Sequence, residues 1–242
     1  MDLPRPVSSL DRTIALDQIE AMKTFIFGET SAGLPILGYR FQNAGPRALI
    51  LGGVHGDEIE GVWAAHGLLR QFLYAFPYRL DLTLVPTFNL DGVLRKDRRN
   101  ANGVDLNRNM PTSDWTNHVA QDRYYPGKSP NSEPETKALV EFLDHHRPNF
   151  IMSLHSWHPV LNVNGDCRPE AEEIQRHNGY RIDDSIGYPT PGCLGTYAGL
   201  EREMPTLTYE IERGQSQSDV LSVHVPAIQE ALKVTEQRIH KG

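Results

Sequence analysis

The sequence predicts an α/β fold, a mixed, mostly parallel β-sheet flanked by helices on both faces. Three observations lead there. Four short apolar runs, Ala48 to Gly53, Leu80 to Thr87, Asn149 to Leu154 and Pro205 to Ile211, have the length and isolation of buried strands. Segments of helical character fall between and after them, which is the alternation of a parallel sheet with covering helices. Finally, 242 residues with 39% hydrophobic composition can bury a full core, and no repeat, low-complexity tract or Pro/Gly/Ser linker marks a second domain. One domain over residues 1–242 is expected.

The elements follow in order. Met22 to Phe27 and Pro35 to Gln42 flank Ser31-Ala32-Gly33 and read as a β-hairpin. The apolar run to Gly53 is bounded by Pro46 and glycines, as a central strand would be, and Ile59 to Tyr74 has apolar residues at helical spacing. The strand from Leu80 ends at Pro86-Thr87-Phe88-Asn89. A long polar stretch, Asp91 to Ser132, then reads as irregular, and loops of that length in compact domains are usually functional or disordered. Ser132-Glu133-Pro134-Glu135 has the form of a capping box opening a helix to about His145. Beyond the Asn149 strand come a helix from Pro169 to His177, the Pro205 strand and a closing helix from Ser222 to His240. Ligands on such sheets collect outside the carboxyl ends of strands, and His55, Asn89, His155 and Glu210 all fall at or near such ends.

Bulk properties exclude several classes. A net charge of −7 disfavours nucleic-acid binding, and the basic cluster Arg95-Lys96-Asp97-Arg98-Arg99 is short. No stretch approaches the ~20 apolar residues of a membrane span, and Met1 to Arg12 lacks the apolar core of a secretory signal. Two cysteines, Cys167 and Cys193, make no disulfide framework and suit a reducing compartment, so a cytoplasmic location is expected.

The chemistry concentrates in four segments: Gly52-Gly53-Val54-His55-Gly56-Asp57-Glu58, Asn100 to Asn109, Ser153-Leu154-His155-Ser156 and Thr206-Leu207-Thr208-Tyr209-Glu210. Two imidazoles and one carboxylate can hold a zinc ion and leave a coordination position open. A lone His-x-x-Glu is a weak signal. All four segments in this order resemble the zinc carboxypeptidase family, and the wording is most similar to its bacterial murein peptide amidase branch. The similarity runs from about Gly33 to about Arg213, roughly three quarters of the chain.

The resemblance implies a role for each position. His55, Glu58 and His155 would hold one Zn2+, and Glu210 would act as general base, with Glu212 the local competitor because residues two apart share a strand face. Arg108, beside Asn107, would grip a terminal carboxylate with its planar fork. Arg98 would stabilise the oxyanion, although Arg95-Lys96 resembles the corresponding pair of the pancreatic enzymes. Tyr188, or else Tyr197, would touch the substrate, and Leu194 would lie at the pocket floor. Asp57 and Glu60 would be surface or supporting carboxylates, and His158 a loop histidine.

The implied reaction is hydrolysis of a carboxy-terminal amide in a small peptide. Within the branch the bond would be γ-D-glutamyl–meso-diaminopimelate in a murein tripeptide, with Asp166 and Asp97 as possible acids toward the diaminopimelate ammonium. A general peptide carboxypeptidase, a small-molecule N-acyl amino acid deacylase and a non-catalytic binding module are the alternatives.

Overall fold

A computed structural model describes residues 22–239. The stretch Met1 to Arg12 and the last residue of the expected closing helix, His240, lie outside them. The described chain forms one eight-stranded sheet in the order β1-β2-β4-β3-β5-β8-β6-β7. Its strands are β1 (Met22–Glu29), β2 (Pro35–Phe41), β3 (Arg47–Gly52), β4 (Asp81–Val85), β5 (Phe150–Trp157), β6 (Val160–Asn164), β7 (Arg181–Asp183) and β8 (Thr206–Glu212). The central four, β4-β3-β5-β8, run parallel. The β1–β2 hairpin joins one side antiparallel through β4, and β6 pairs antiparallel with β8 on the other.

Alternation along the central strands divides the core in two. Ala48 and Ile50, Phe150, Met152 and Leu154, and Leu207, Tyr209 and Ile211 face α1 (Ile59–Tyr74), α4 (Arg168–Asn178) and α5 (Val225–Ile239). Leu49, Leu51 and Ile151 face the opposite way, toward α3 (Pro134–His146) and the segment from Leu194 to Met204. Both layers are apolar, so each strand is apolar on both sides, which is why these strands read as runs. The same alternation sends Ser153, His155, Thr208 and Glu210 to the second face, where the apolar filling stops at the carboxyl end of the sheet.

Three readings change. β6 and β7 were not expected: β6 is a five-residue run directly after β5, and β7 has only three residues. The long loop contains a short helix, α2 (Leu90–Arg95), and two 3-10 turns, Leu106–Arg108 and Asp122–Tyr124. The capping box does not form. The helix instead starts on Pro134 with Glu133 at its N-cap making no side-chain cap bond. Ser132 Oγ donates to Glu133 Oε1 at 2.6 Å, and Glu135 accepts from the Ser31 amide at 2.8 Å and from Ser31 Oγ. Those side chains tie the hairpin turn and the loop to α3, so they are not free to cap it.

Candidate active site

The turn after β3 carries His55 and Glu58 and is pressed backbone to backbone against α2. A Cβ on Gly56 would lie 1.9 Å from the Gly92 carbonyl carbon, so only glycine fits there. His155 rises from β5 to meet them. His55 Nδ1 lies 2.9 Å from Glu58 Oε1, His155 Nδ1 lies 2.8 Å from Glu58 Oε2, and the two Nδ1 atoms are 3.1 Å apart. All three side chains are buried, and their ligand atoms lie within 4.8 Å of one another.

The outer nitrogens are occupied. His55 Nε2 is 3.0 Å from Asp105 Oδ1, and His155 Nε2 is 2.9 Å from Ser153 Oγ. A carboxylate can only accept, so neutral His55 carries its proton on Nε2 and turns an Nδ1 lone pair inward. Two inward nitrogens and a carboxylate converging on one point fit a divalent cation of zinc type. Burial and Arg98 oppose charge on His55, but Glu58 and Asp105 outweigh them and raise its pKa. Burial alone would raise Glu58, yet the two histidines hold it well below the usual carboxylate range.

Glu210 pairs in register with His155 on the neighbouring strand and lines the same cleft. It is 7% exposed and its Oε2 has no hydrogen-bond partner. Burial pushes its carboxyl up to about 7, with Glu58 adding to the rise against the pull of His155. Glu212, two residues on, is exposed at the strand end, where its carboxylate accepts from Gln215.

Arg98 donates from Nε to Asp105 Oδ2 at 2.8 Å and from Nη1 to Glu58 Oε1 at 3.0 Å. Arg108 is 5% exposed, and its Nη1 donates to the Asn107 carbonyl at 2.7 Å. Asn107 Oδ1 accepts from the Leu194 amide at 2.9 Å, which fixes this turn against the 190s loop. Tyr188 lines the same cleft, edge-on to Trp157 at 5.4 Å. The cleft these residues line has a volume of about 200 Å³.

All eight residues singled out, His55, Glu58, Arg98, Asn107, Arg108, His155, Tyr188 and Glu210, therefore lie at or around one cleft. Their competitors lie elsewhere. Arg95 donates to the carbonyls of Arg99, Asn100 and Ala101 and holds that turn. Tyr197 is buried in the core beneath Arg202, and Leu194 is buried in the same cluster. Asp97 pairs with Arg99 and Asp166 with Arg238, neither of them in the cleft lining. His158 is exposed against Trp157, whereas Glu60 is buried and bridges Ser156 Oγ to the Gly214 amide.

The sequence reading missed Arg123, Tyr124, Trp157, Ile186 and Arg213 on the cleft wall, and Asp105 behind His55. Asp105 lay inside a segment already marked. The others come from loops and from strand ends, where no spacing distinguishes a wall residue from a surface one.

The zinc carboxypeptidase family model matches residues 9–227. Murein peptide amidase A of Vibrio campbellii is 32% identical over 198 residues, 76% of this chain and 77% of that protein. Its counterpart from Escherichia coli K12 is 32% identical over 184 residues, 71% of this chain and 74% of that one. The crystal structure of the murein-tripeptide amidase of Escherichia coli O157 superposes with a TM-score of 0.73 at 26% identity, covering 87% of this chain and 91% of that one. Bovine thrombin-activatable fibrinolysis inhibitor, at 18% identity and a TM-score of 0.78 over 96% of both chains, shares the fold. The eight-stranded sheet, the convergent His-Glu-His trio at its carboxyl end and these matches together show that the chain belongs to the zinc carboxypeptidase family.

Proposed function

We propose that the protein hydrolyses the γ-D-glutamyl–meso-diaminopimelate bond of a murein tripeptide, with residues 1–242 acting as one catalytic domain. The observation that supports it best is the placement of Glu210 beside His155 in a cleft shared with Arg98 and Arg108, in a chain 32% identical to murein peptide amidases. His55, Glu58 and His155 would hold one Zn2+, which supplies Lewis-acid polarisation of the scissile carbonyl and lowers the pKa of a water.

The chain's own groups do the rest. Glu210 accepts the proton from the attacking water and returns it to the amine that leaves, completing addition of one water across the amide. Arg98, pinned by Asp105 and Glu58, presents its guanidinium to the oxygen on which negative charge develops. Arg108 and Asn107 bind the terminal carboxylate of the leaving residue. Burial raises the Tyr188 pKa, so its hydroxyl stays protonated and available as a donor. Cys167 and Cys193, both free and buried, suit a reducing compartment, and we assign the activity to cytoplasmic recycling of cell-wall peptide. Among the described residues no helix is long and apolar enough to cross a membrane.

A substrate panel tests the assignment. Zinc-replete protein should release diaminopimelate from L-Ala-γ-D-Glu-meso-diaminopimelate far faster than it releases the last residue of ordinary peptides or deacylates N-acyl amino acids. Faster turnover of either competitor would replace the murein assignment with that activity.

A further inference from the structure

Four guanidiniums line the cleft, those of Arg98, Arg108, Arg123 and Arg213, against only two lining carboxylates, Glu58 and Glu210. In a chain of net charge −7 that is a local excess of positive charge before any metal is added. Two of the four are already committed. Arg98 is held by Glu58 and Asp105, and Arg108 is anchored at the Asn107 turn next to the 190s loop.

The other two converge at a different place. Arg213 Nη1 and Arg123 Nη2 lie 3.4 Å and 3.8 Å from the same Asp57 Oδ2, one residue before Glu58. Arg213 also reaches Glu58 Oε1 at 3.5 Å and donates from Nε to the Ser156 carbonyl at 3.2 Å. One carboxylate oxygen is thus shared between two arginines at long distances, and each guanidinium carries five N–H donors. Most of those donors stay available, on side chains that are 38% and 48% exposed. Tyr124 stands between the two cationic places, with Arg108 at 5.6 Å and Arg123 at 5.3 Å from its ring centroid.

We infer that Arg123 and Arg213, held by Asp57, form a second carboxylate subsite on the acyl side of the scissile bond, which takes the free α-carboxylate of a γ-linked D-glutamate. This rests on the murein tripeptide reading above. If Arg108 holds the leaving residue's carboxylate, the acyl portion extends the other way past Glu58, toward Asp57. A γ-linked glutamate keeps its α-carboxylate free, with about three carbons between that group and the scissile carbonyl, a group that α-linked residues without an acidic side chain lack. Paired arginines recognise such a group through charge-assisted bonds, and a neutral amide in its place forfeits the charge while keeping the shape. The subsite would therefore select a glutamyl residue whose carboxylate is free, independently of what leaves.

The test compares L-Ala-γ-D-Glu-meso-diaminopimelate with the same tripeptide amidated at the glutamate α-carboxylate, using zinc-replete wild type, Arg123→Gln, Arg213→Gln, the double variant and Arg213→Lys. Wild type should prefer the free acid by about 10- to 100-fold in kcat/KM. That ratio should shrink in each single Gln variant, approach one in the double variant and be partly kept by Arg213→Lys. A purely structural role would lower both substrates together and leave the ratio intact, which would overturn the subsite. Equal cleavage of acid and amide by wild type would also overturn it while the murein reading stood. Cleavage of neither by zinc-replete wild type would remove that reading and the subsite with it.

Discussion

Arg98 shows how far one side chain can be constrained before any substrate arrives. Its guanidinium is wedged between Glu58 and Asp105, and the same Asp105 fixes the tautomer of His55. Burial opposes its charge, but Asp105 and Glu58 more than offset that and keep its pKa raised, so it is cationic at any working pH. In the proposed reaction a donor held this rigidly would cost no reorganisation as charge develops on the carbonyl oxygen. Arg98→Gln should therefore lower kcat by about 10²- to 10³-fold. Arg95→Gln, which loosens only backbone contacts of the preceding turn, should lose much less. Steady-state kinetics of the two variants checks this, and the reverse order would assign the role to Arg95. At this scale the candidate metal trio was legible through the family resemblance, since His-x-x-Glu alone is a weak signal and His155 lies 97 residues beyond Glu58. Asp105 was not, because orienting an imidazole from behind needs only one acceptor anywhere in the chain.

Elements matter through how closely they approach. Glu58 immediately precedes α1 and His155 sits on β5, so the trio closes only if helix and strand pack tightly. Gly61 makes that possible: a Cβ there would stand 2.5 Å from the Leu154 carbonyl oxygen and 3.3 Å from the His155 amide nitrogen. Helix propensity alone would favour Gly61→Ala by about 1 kcal/mol. The clash is with backbone that cannot swing aside, and overpacking of this kind costs about 1–3 kcal/mol. The variant should melt lower than wild type and bind zinc more weakly, as thermal denaturation and zinc titration would show. An unchanged melting point with full zinc affinity would mean that the interface has slack. The sequence announced most elements, since α1 and the four central strands carry strong periodicity or unbroken apolar runs. It was misleading at Ser132, where a local capping pattern lost to long-range bonds with Ser31 and Asn109. It was silent on β7, whose three residues are too few to show any period.

For the molecule as a whole, the order of strands places β5 and β8 side by side and brings together residues far apart in sequence, which no local reading of charge reveals. The arginines of the cleft are invisible in a net charge of −7. The same closure buries a polar chain behind the sheet. Asn178 donates to Tyr209 Oη, Tyr209 to His224 Nδ1, and His224 Nε2 to Gln215 Oε1, joining α4, β8 and the entry to α5. Burial lowers His224 from 6.5 to about 4. Between those values the unfolded chain binds a proton that the folded chain does not. This contribution to stability is complete above about pH 6.5 and is lost as pH falls toward 4. In urea titrations, His224→Gln should show a shallower loss of stability across that window than wild type; an identical slope would show that His224 is not the group responsible. The most direct measurement is diaminopimelate release from L-Ala-γ-D-Glu-meso-diaminopimelate by wild type and Glu210→Gln at equal, verified zinc content. Release by wild type that falls by about 10²- to 10⁴-fold in the variant is the predicted result. No release by the zinc-loaded wild type, or equal release by both proteins, would contradict it.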